Sequence, residues 1–164
     1  MKRMLLTLAV LAATLLSSCG YSTGTLVPDE YRTIAVPVFE NSTRRHDLEW
    51  EVTRAVAAEL QARTHLAVVD LEDEPDLVLR GTLVEAEEDT LSRRRFQRQR
   101  QTAYFVTAEI RVDRRNGESP LVEPTRVTER ESYVSVLGED VRSARQEAVR
   151  ALAERVVQQL EAGW

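Results

Sequence analysis

The chain has 164 residues, 22 Lys and Arg against 27 Asp and Glu, a formal net charge of -5, and one cysteine. An acidic body argues against general nucleic-acid binding, which needs net basic surface, and a lone cysteine excludes an intramolecular disulfide. Hydrophobic residues at 43% with few aromatics make an ordinary globular composition. A chain of this size buries about two thirds of its unfolded surface, enough for one core held by packing alone.

In chain order, Lys2 and Arg3 precede an apolar run from Met4 to Leu16, and Ser17, Ser18, Cys19 and Gly20 follow it. A basic start, a short apolar block and small residues before a cut make a bacterial secretory signal. The run of about 13 apolar residues falls short of the roughly 20 needed to span a bilayer, and its lack of a polar face argues against a core helix. Leu16-Ser17-Ser18-Cys19 resembles the lipobox of bacterial lipoproteins. That resemblance implies that 1–18 is a signal peptide cut before Cys19, that the Cys19 thiol carries diacylglycerol, and that its new amine is acylated, for example with palmitate. A polar lipidated tether, 19–30, then leads into one body, 31–164. Acyl chains contribute about 0.8 kcal/mol per buried methylene, and several together exceed the marginal hold of one. Without Lys2 and Arg3 the mature formal charge goes from -5 to -7.

Thr33-Ile34-Ala35-Val36-Pro37-Val38-Phe39 is apolar and β-rich and predicts a first strand. Pro37 lacks a ladder donor, so the strand lies at an edge or ends there. Glu40-Asn41-Ser42-Thr43 reads as a loop. Asp47 is a favourable N-cap for a helix from Leu48 to near Thr64, with Leu48, Val52, Ala55, Val56 and Leu60 on one face. Leu66-Ala67-Val68-Val69 is a second strand, followed by a turn through Glu72-Asp73-Glu74-Pro75.

Two longer β segments run from Leu77 to about Leu91 and from Ala103 to Asp113. In the later one Tyr104, Val106, Ala108, Ile110 and Val112 point one way and Thr107, Glu109, Arg111 and Asp113 the other. Arg115-Asn116-Gly117-Glu118 is a turn. A further strand covers about Thr125 to Val136, its approach made irregular by Pro120 and Pro124. From Glu139 to Glu161 a helix carries the apolar stripe Val141, Ala144, Ala148, Leu152, Val156 and Leu160. The order is β-α-β-β-β-α. Its strand–helix–strand start favours a parallel pair, and its later strands are spaced for hairpins. The predicted fold is α+β: a two-layer α/β sandwich with two helices packed on one mixed sheet.

Catalytic patterns are absent from the sequence. His46 and His65 stand outside any ligand motif, and there is no Gly-rich phosphate loop or Gly-x-Ser-x-Gly elbow. An acylated Cys19 is neither nucleophile nor zinc ligand. Glu87 and Glu88 read as a solvated strand face rather than an acid/base couple, and Asn41-Ser42-Thr43 fits the short, common N-glycosylation pattern. No enzyme activity, metal or cofactor is expected, and a binding or assembly role is the better class.

One stretch looks like a site. Between the two long β segments, Ser92 to Gln101 holds five arginines in ten residues: Arg93, Arg94, Arg95, Arg98 and Arg100, with Phe96 among them. Arginine's planar fork matches phosphate oxygens, and an apolar residue among arginines suits a ligand with both phosphates and acyl chains. The other reading is a solvated hairpin tip whose arginines pair across strands with Glu85, Glu87, Glu88 and Asp89, each pair contributing a fraction of a kcal/mol. Arms this long, roughly 45 Å at 3.3 Å per residue, would project beyond a typical strand.

Cys19-Gly20-Tyr21, Arg32-Thr33-Ile34-Ala35-Val36-Pro37-Val38-Phe39-Glu40-Asn41-Ser42-Thr43, the helix opening Leu48-Glu49, the strand opening Pro75-Asp76-Leu77-Val78-Leu79-Arg80-Gly81-Thr82-Leu83 and the Ala-rich last helix form an ordered set. This set resembles the lipopolysaccharide-assembly lipoprotein family LptE (LptE/RlpB) over nearly the whole mature chain. The resemblance implies an outer-membrane lipoprotein facing the periplasm, with two helices on a mixed sheet. It further implies a plug, one to one, inside the β-barrel LptD, and binding of lipopolysaccharide through basic residues as that lipid enters the outer leaflet. Assigning lipopolysaccharide to Arg93, Arg94, Arg95, Arg98 and Arg100 comes from the residues themselves. Gly20 after the cysteine fits outer-membrane sorting in the lipoprotein resemblance. The rival reading is another envelope adaptor, either a penicillin-binding-protein activator of LpoB type or a ring-forming CsgG-like secretion-channel subunit. The short spacer after Cys19 argues against the activator.

Overall fold

The computed structural model describes residues 27–93, 100–117, 119–134 and 141–162. Its elements are β1 (Thr33–Ala35), β2 (Glu40–Asn41), α1 (Leu48–Arg63), β3 (Ala67–Val69), a 3-10 turn (Leu71–Asp73), β4 (Leu77–Arg93), β5 (Arg100–Arg114), β6 (Val122–Val134) and α2 (Val141–Ala162). Both helices pack on one mixed six-stranded sheet of order β3-β1-β4-β5-β6, with β2 also on β4. β1 pairs in parallel with β3 and β4, and β4, β5 and β6 are antiparallel neighbours.

Of the strand expected over Thr33 to Phe39, only Thr33–Ala35 is strand, and Glu40–Asn41, expected as loop, form a second short one. Pro37 interrupts the ladder for want of an N–H. The chain re-enters as β2, which lies parallel to β4 further along, with Glu40 opposite Thr82 and Asn41 opposite Leu83. The step is held by Phe39. Its ring is buried against the backbone of Gly81, where a Cβ would lie 2.2 Å from Phe39 Cε2. Its N–H donates to Thr53 Oγ1 on α1 at 3.0 Å. Beyond Leu83 and Ser42, whose N–H donates to the Leu83 carbonyl at 2.9 Å, β4 continues with β5 as its partner.

The predicted apolar faces form the core. Leu48, Val52, Val56 and Leu60 of α1 and Ala144, Ala148, Leu152, Val156 and Leu160 of α2 are buried against Leu77, Leu79 and Leu83 of β4 and Tyr104, Val106, Ala108, Ile110 and Val112 of β5. Each large aliphatic side chain so buried stabilises the fold by about 1.5–3 kcal/mol. Val27, ahead of the expected body, already belongs to this core. Two members depart from pattern. Val141, counted into the stripe of α2, is exposed. Thr107, on the opposite sheet face, is 2% exposed because its hydroxyl bonds Thr128 Oγ1 across the strands at 3.0 Å. An extra residue, Val84, breaks the alternation of β4 between the pairs Leu83–Ala108 and Glu85–Thr107. The bulge moves the core face from odd to even positions, so Ala86 is buried after Leu83.

Asp47 precedes α1 but does not cap it. It sits at φ 66° with no side-chain bond to the helix. The turn is organised instead by Asn41. Its Oδ1 accepts from Thr43 N and Oγ1 at 2.9 and 2.7 Å, and its Nδ2 donates to the Arg45 carbonyl at 2.7 Å and to Glu49 Oε2 at 2.6 Å. Ion pairs fix the direction of the helices. Glu51 and Arg145 join at the two N-termini, and Arg63 and Glu161 at the two C-termini, so α1 and α2 run parallel.

At the end of the sheet where the described chain begins, Asp76 Oδ2 accepts from Arg32 N, Thr33 N and Thr33 Oγ1 at 2.9, 3.1 and 3.1 Å, and Asp76 N donates back to Thr33 Oγ1 at 2.9 Å. This reciprocal clamp starts β1 beside β4. The Arg32 N–H, with smaller help from Thr33 and Arg115, holds the Asp76 carboxyl below its ordinary value, against the opposing effect of burial. A depressed carboxyl stabilises the fold above its unfolded pKa and loses that contribution as pH falls through the folded value. Asp76→Asn is therefore expected to cost about 1 kcal/mol near neutral pH. In urea unfolding, its gap to wild type should shrink as pH falls through the depressed folded value. A gap that held constant with pH would mean the carboxylate's charge is not what ties the strands.

Candidate functional site

The sheet gives the molecule two poles. Val27 to Arg32 and the clamp at Asp76 sit where β4 starts and β5 ends: Arg114 Nε donates to Tyr31 Oη at 3.0 Å, and His65 Nε2 lies 2.9 Å from the Tyr31 carbonyl. His65 is thus a strand-end tie, and among the described residues no His, Cys, Asp or Glu group could hold a metal. No described helix is long and apolar enough to cross a membrane. From Leu77 the 17 residues of β4 run to the other pole, roughly 50 Å away at 3.3 Å per residue.

Of the five arginines, Arg93 and Arg100 are described, and both stand at this distal pole. Arg93 and Arg100 are the last described pair of the β4–β5 ladder and stand opposite each other. Arg94, Arg95 and Arg98 lie outside the described residues, as does Cys19. The expected cross-strand partners are not in register with the arginines. Glu85, Glu87, Glu88 and Asp89 face Thr107, Phe105, Tyr104 and Ala103. The extra residue Leu91 between the Thr90–Thr102 and Ser92–Gln101 pairs sets Arg93 and Arg100 as register partners at the ladder's end. Glu88 is taken instead by Arg45, from the loop before α1, at 2.8 Å and by Tyr133 Oη at 3.2 Å. Burial, then Glu88, push the Tyr133 phenol up.

Beside this row, sequence reasoning missed a cluster that only the packing assembles. Arg45, Glu51, Tyr104, Arg142, Arg145 and Gln146 line a cavity of about 300 Å³ at the N-termini of both helices. Arg145 chelates Glu51 through Nε, at 3.0 Å, and Nη2. Tyr104, counted from its alternation as a core residue, is 1% exposed. Its hydroxyl is buried with no hydrogen-bond partner among the described residues. Burial pushes its phenol up, Arg145 and Arg45 oppose this, and Glu51 and Glu88 add to it. Arg142 makes no ion pair among the described residues. Helix N-termini attract negative charge. The first turn of α1 supplies it with Glu49 and Glu51, and that of α2 contains no acid. The one sequence signal was a tyrosine placed among aliphatic residues on a core face, where its polar tip must find a partner.

Two helices on one face of an open mixed sheet define an α+β two-layer sandwich, with the described chain starting at one pole and Arg93 and Arg100 paired at the other. The chain belongs to the LptE family: the family model described as lipopolysaccharide-assembly matches residues 31–162. Membership of that family makes it a protein of lipopolysaccharide assembly. No curated protein matches. Among solved structures, the chain is similar to the hypothetical protein CT253 from Chlamydia trachomatis at 10% identity and TM-score 0.55, over 79% of this chain and 98% of that one. It is similar to protein XCC0632 from Xanthomonas campestris at 11% identity and TM-score 0.53, over 77% and 81%. A minor lipoprotein from Acinetobacter baumannii matches at 17% identity and TM-score 0.49, over 80% and 92%. At such identities the likeness to CT253 and XCC0632 shows the fold alone.

Proposed function

We propose that the mature protein is anchored by lipid on Cys19 at the periplasmic face of the outer membrane and sits one to one as a plug in the β-barrel LptD. There it binds lipopolysaccharide through the hairpin arginines Arg93, Arg94, Arg95, Arg98 and Arg100. Its work is positional: it orders a barrel and holds an anionic lipid, and no bond is made or broken. The observation that carries this reading is the separation of the poles. The start of the described chain lies at one end of β4, and the Arg93–Arg100 pair lies at the other. A lipid-held protein built this way carries its cationic end roughly 50 Å from its anchor side, far enough to reach into a barrel lumen. Guanidinium forks there match the phosphates of lipopolysaccharide.

The test is a mild-detergent pulldown of the mature lipoprotein from its native envelope. The expected companion is a large outer-membrane β-barrel at near one-to-one ratio. Recovery of a cell-wall synthase, or of a self-assembled ring with no barrel, would assign the fold to an adaptor of another kind.

A further inference from the structure

We propose that the cavity between the two helix N-termini is a separate anion site, which takes a phosphate group against Tyr104, Arg142 and Arg145. Four observations converge on it. The Tyr104 hydroxyl is buried and unpartnered among the described residues, and a buried donor left unmatched is destabilising unless a ligand completes it. Among the described residues, Arg45, Arg142 and Arg145 line the cavity with one carboxylate, Glu51, which Arg145 engages, while Arg45 reaches Glu88 beside it. The parallel helices aim two positive dipole ends at the same space. The exposed guanidinium of Arg142, in a first turn without an acid, adds a fork that no described residue engages. Glu139 and Asp140 precede α2 in sequence and lie outside the described residues.

Phosphate suits this set better than a carboxylate. Its oxygens can accept the phenol O–H on one side and a bidentate arginine on another at once. A cavity of about 300 Å³ is at the small end of ligand sites and admits a phosphorylated sugar as well as the free ion. The site lies four residues along β5 from Arg100, roughly 13 Å at strand rise. A phosphorylated lipid held by the hairpin could therefore place a second phosphate here. That lipid-borne source rests on the function proposed above; the phosphate site itself does not.

The experiment uses the full chain in non-ionic detergent, with three probes: inorganic phosphate, lipid A, and lipid A stripped of its phosphates. Thermal unfolding and calorimetric titration are read for wild type, Tyr104→Phe and Arg142→Gln. Wild type should be stabilised by inorganic phosphate and by lipid A, and not through this site by the stripped lipid. Tyr104→Phe should leave the probe-free midpoint unchanged or higher, since it removes an unmatched buried hydroxyl, and should weaken phosphate affinity about tenfold. Arg142→Gln, at an exposed position, should leave the midpoint alone and weaken phosphate affinity to a similar degree. A lower probe-free midpoint for Tyr104→Phe with affinities unchanged in both variants would place the phenol's partner inside the chain and overturn the proposal. So would a wild-type protein that ignores inorganic phosphate and lipid A alike. Lipid A binding untouched by either variant would remove the site while leaving the proposed function standing. Variant-sensitive binding of inorganic phosphate without any lipid A binding would keep the site and remove the lipid.

Discussion

Gly81→Ala is expected to destabilise the protein by about 2–3 kcal/mol, the upper range for overfilling a packed core. The new Cβ would lie 2.2 Å from Phe39 Cε2 and 2.5 Å from Cδ2 and Cζ, well inside van der Waals contact. The ring cannot swing clear. It is 2% exposed, and its backbone N–H is tied to Thr53 Oγ1, whose own hydroxyl donates to the Glu49 carbonyl at 2.6 Å. Relief must come from moving β2 off β4, which would also loosen the turn that carries Arg45 toward Glu88. Urea unfolding of Gly81→Ala, Phe39→Ala and the double variant forms the check. Phe39→Ala alone should cost about 3–5 kcal/mol through the cavity it leaves. The double variant should cost less than the sum, because the added methyl partly fills the emptied space. Strict additivity would mean that glycine and ring do not share that space.

Replacing Arg94, Arg98 and Arg100 with glutamate is expected to weaken lipopolysaccharide binding on the order of a hundredfold at low ionic strength, from the loss of several charge-assisted hydrogen bonds. The difference should narrow as salt is raised, because screening shortens the reach of exposed charges to about 8 Å at physiological ionic strength. The ladder supplies a control against the trivial explanation. Arg93 and Arg100 are register partners at the last described pair of the ladder, so Arg100→Glu alone is expected to leave the melting midpoint unchanged. Loss of binding with a retained melting midpoint would isolate the contact from the fold. Binding unchanged at low salt would take lipopolysaccharide away from the hairpin.

The first prediction turns on residues whose role differs from what their sequence prominence suggests. The run Val36 to Thr43, which carries much of the family resemblance, does structural work in this fold. Pro37 breaks the strand, Phe39 seats on Gly81, and Asn41 ties its loop to Glu49. A family signature of this kind marks where backbone and ring must approach, and it says little about ligand contact.

Much was set by the chain alone. Period-two and period-3.6 spacing of apolar residues specified the buried faces of β5, α1 and α2, because burial against one partner layer requires that spacing and little else. The parallel start and antiparallel finish followed from connection lengths. The arginine run was visible because consecutive charges need no fold to be noticed. The features set by contacts between distant segments have a different physical origin. The bulge at Val84 switched the core face of β4, and no composition rule marks an extra residue whose energy depends on the strand beside it. The register set arginine against arginine and gave Glu88 to Arg45, a choice made between positions 43 residues apart. The cavity at Tyr104 exists because two helices distant in sequence run parallel and end together. Local patterns fix what a segment buries; contacts between distant segments, stabilised only once the core has closed, fix which polar groups meet.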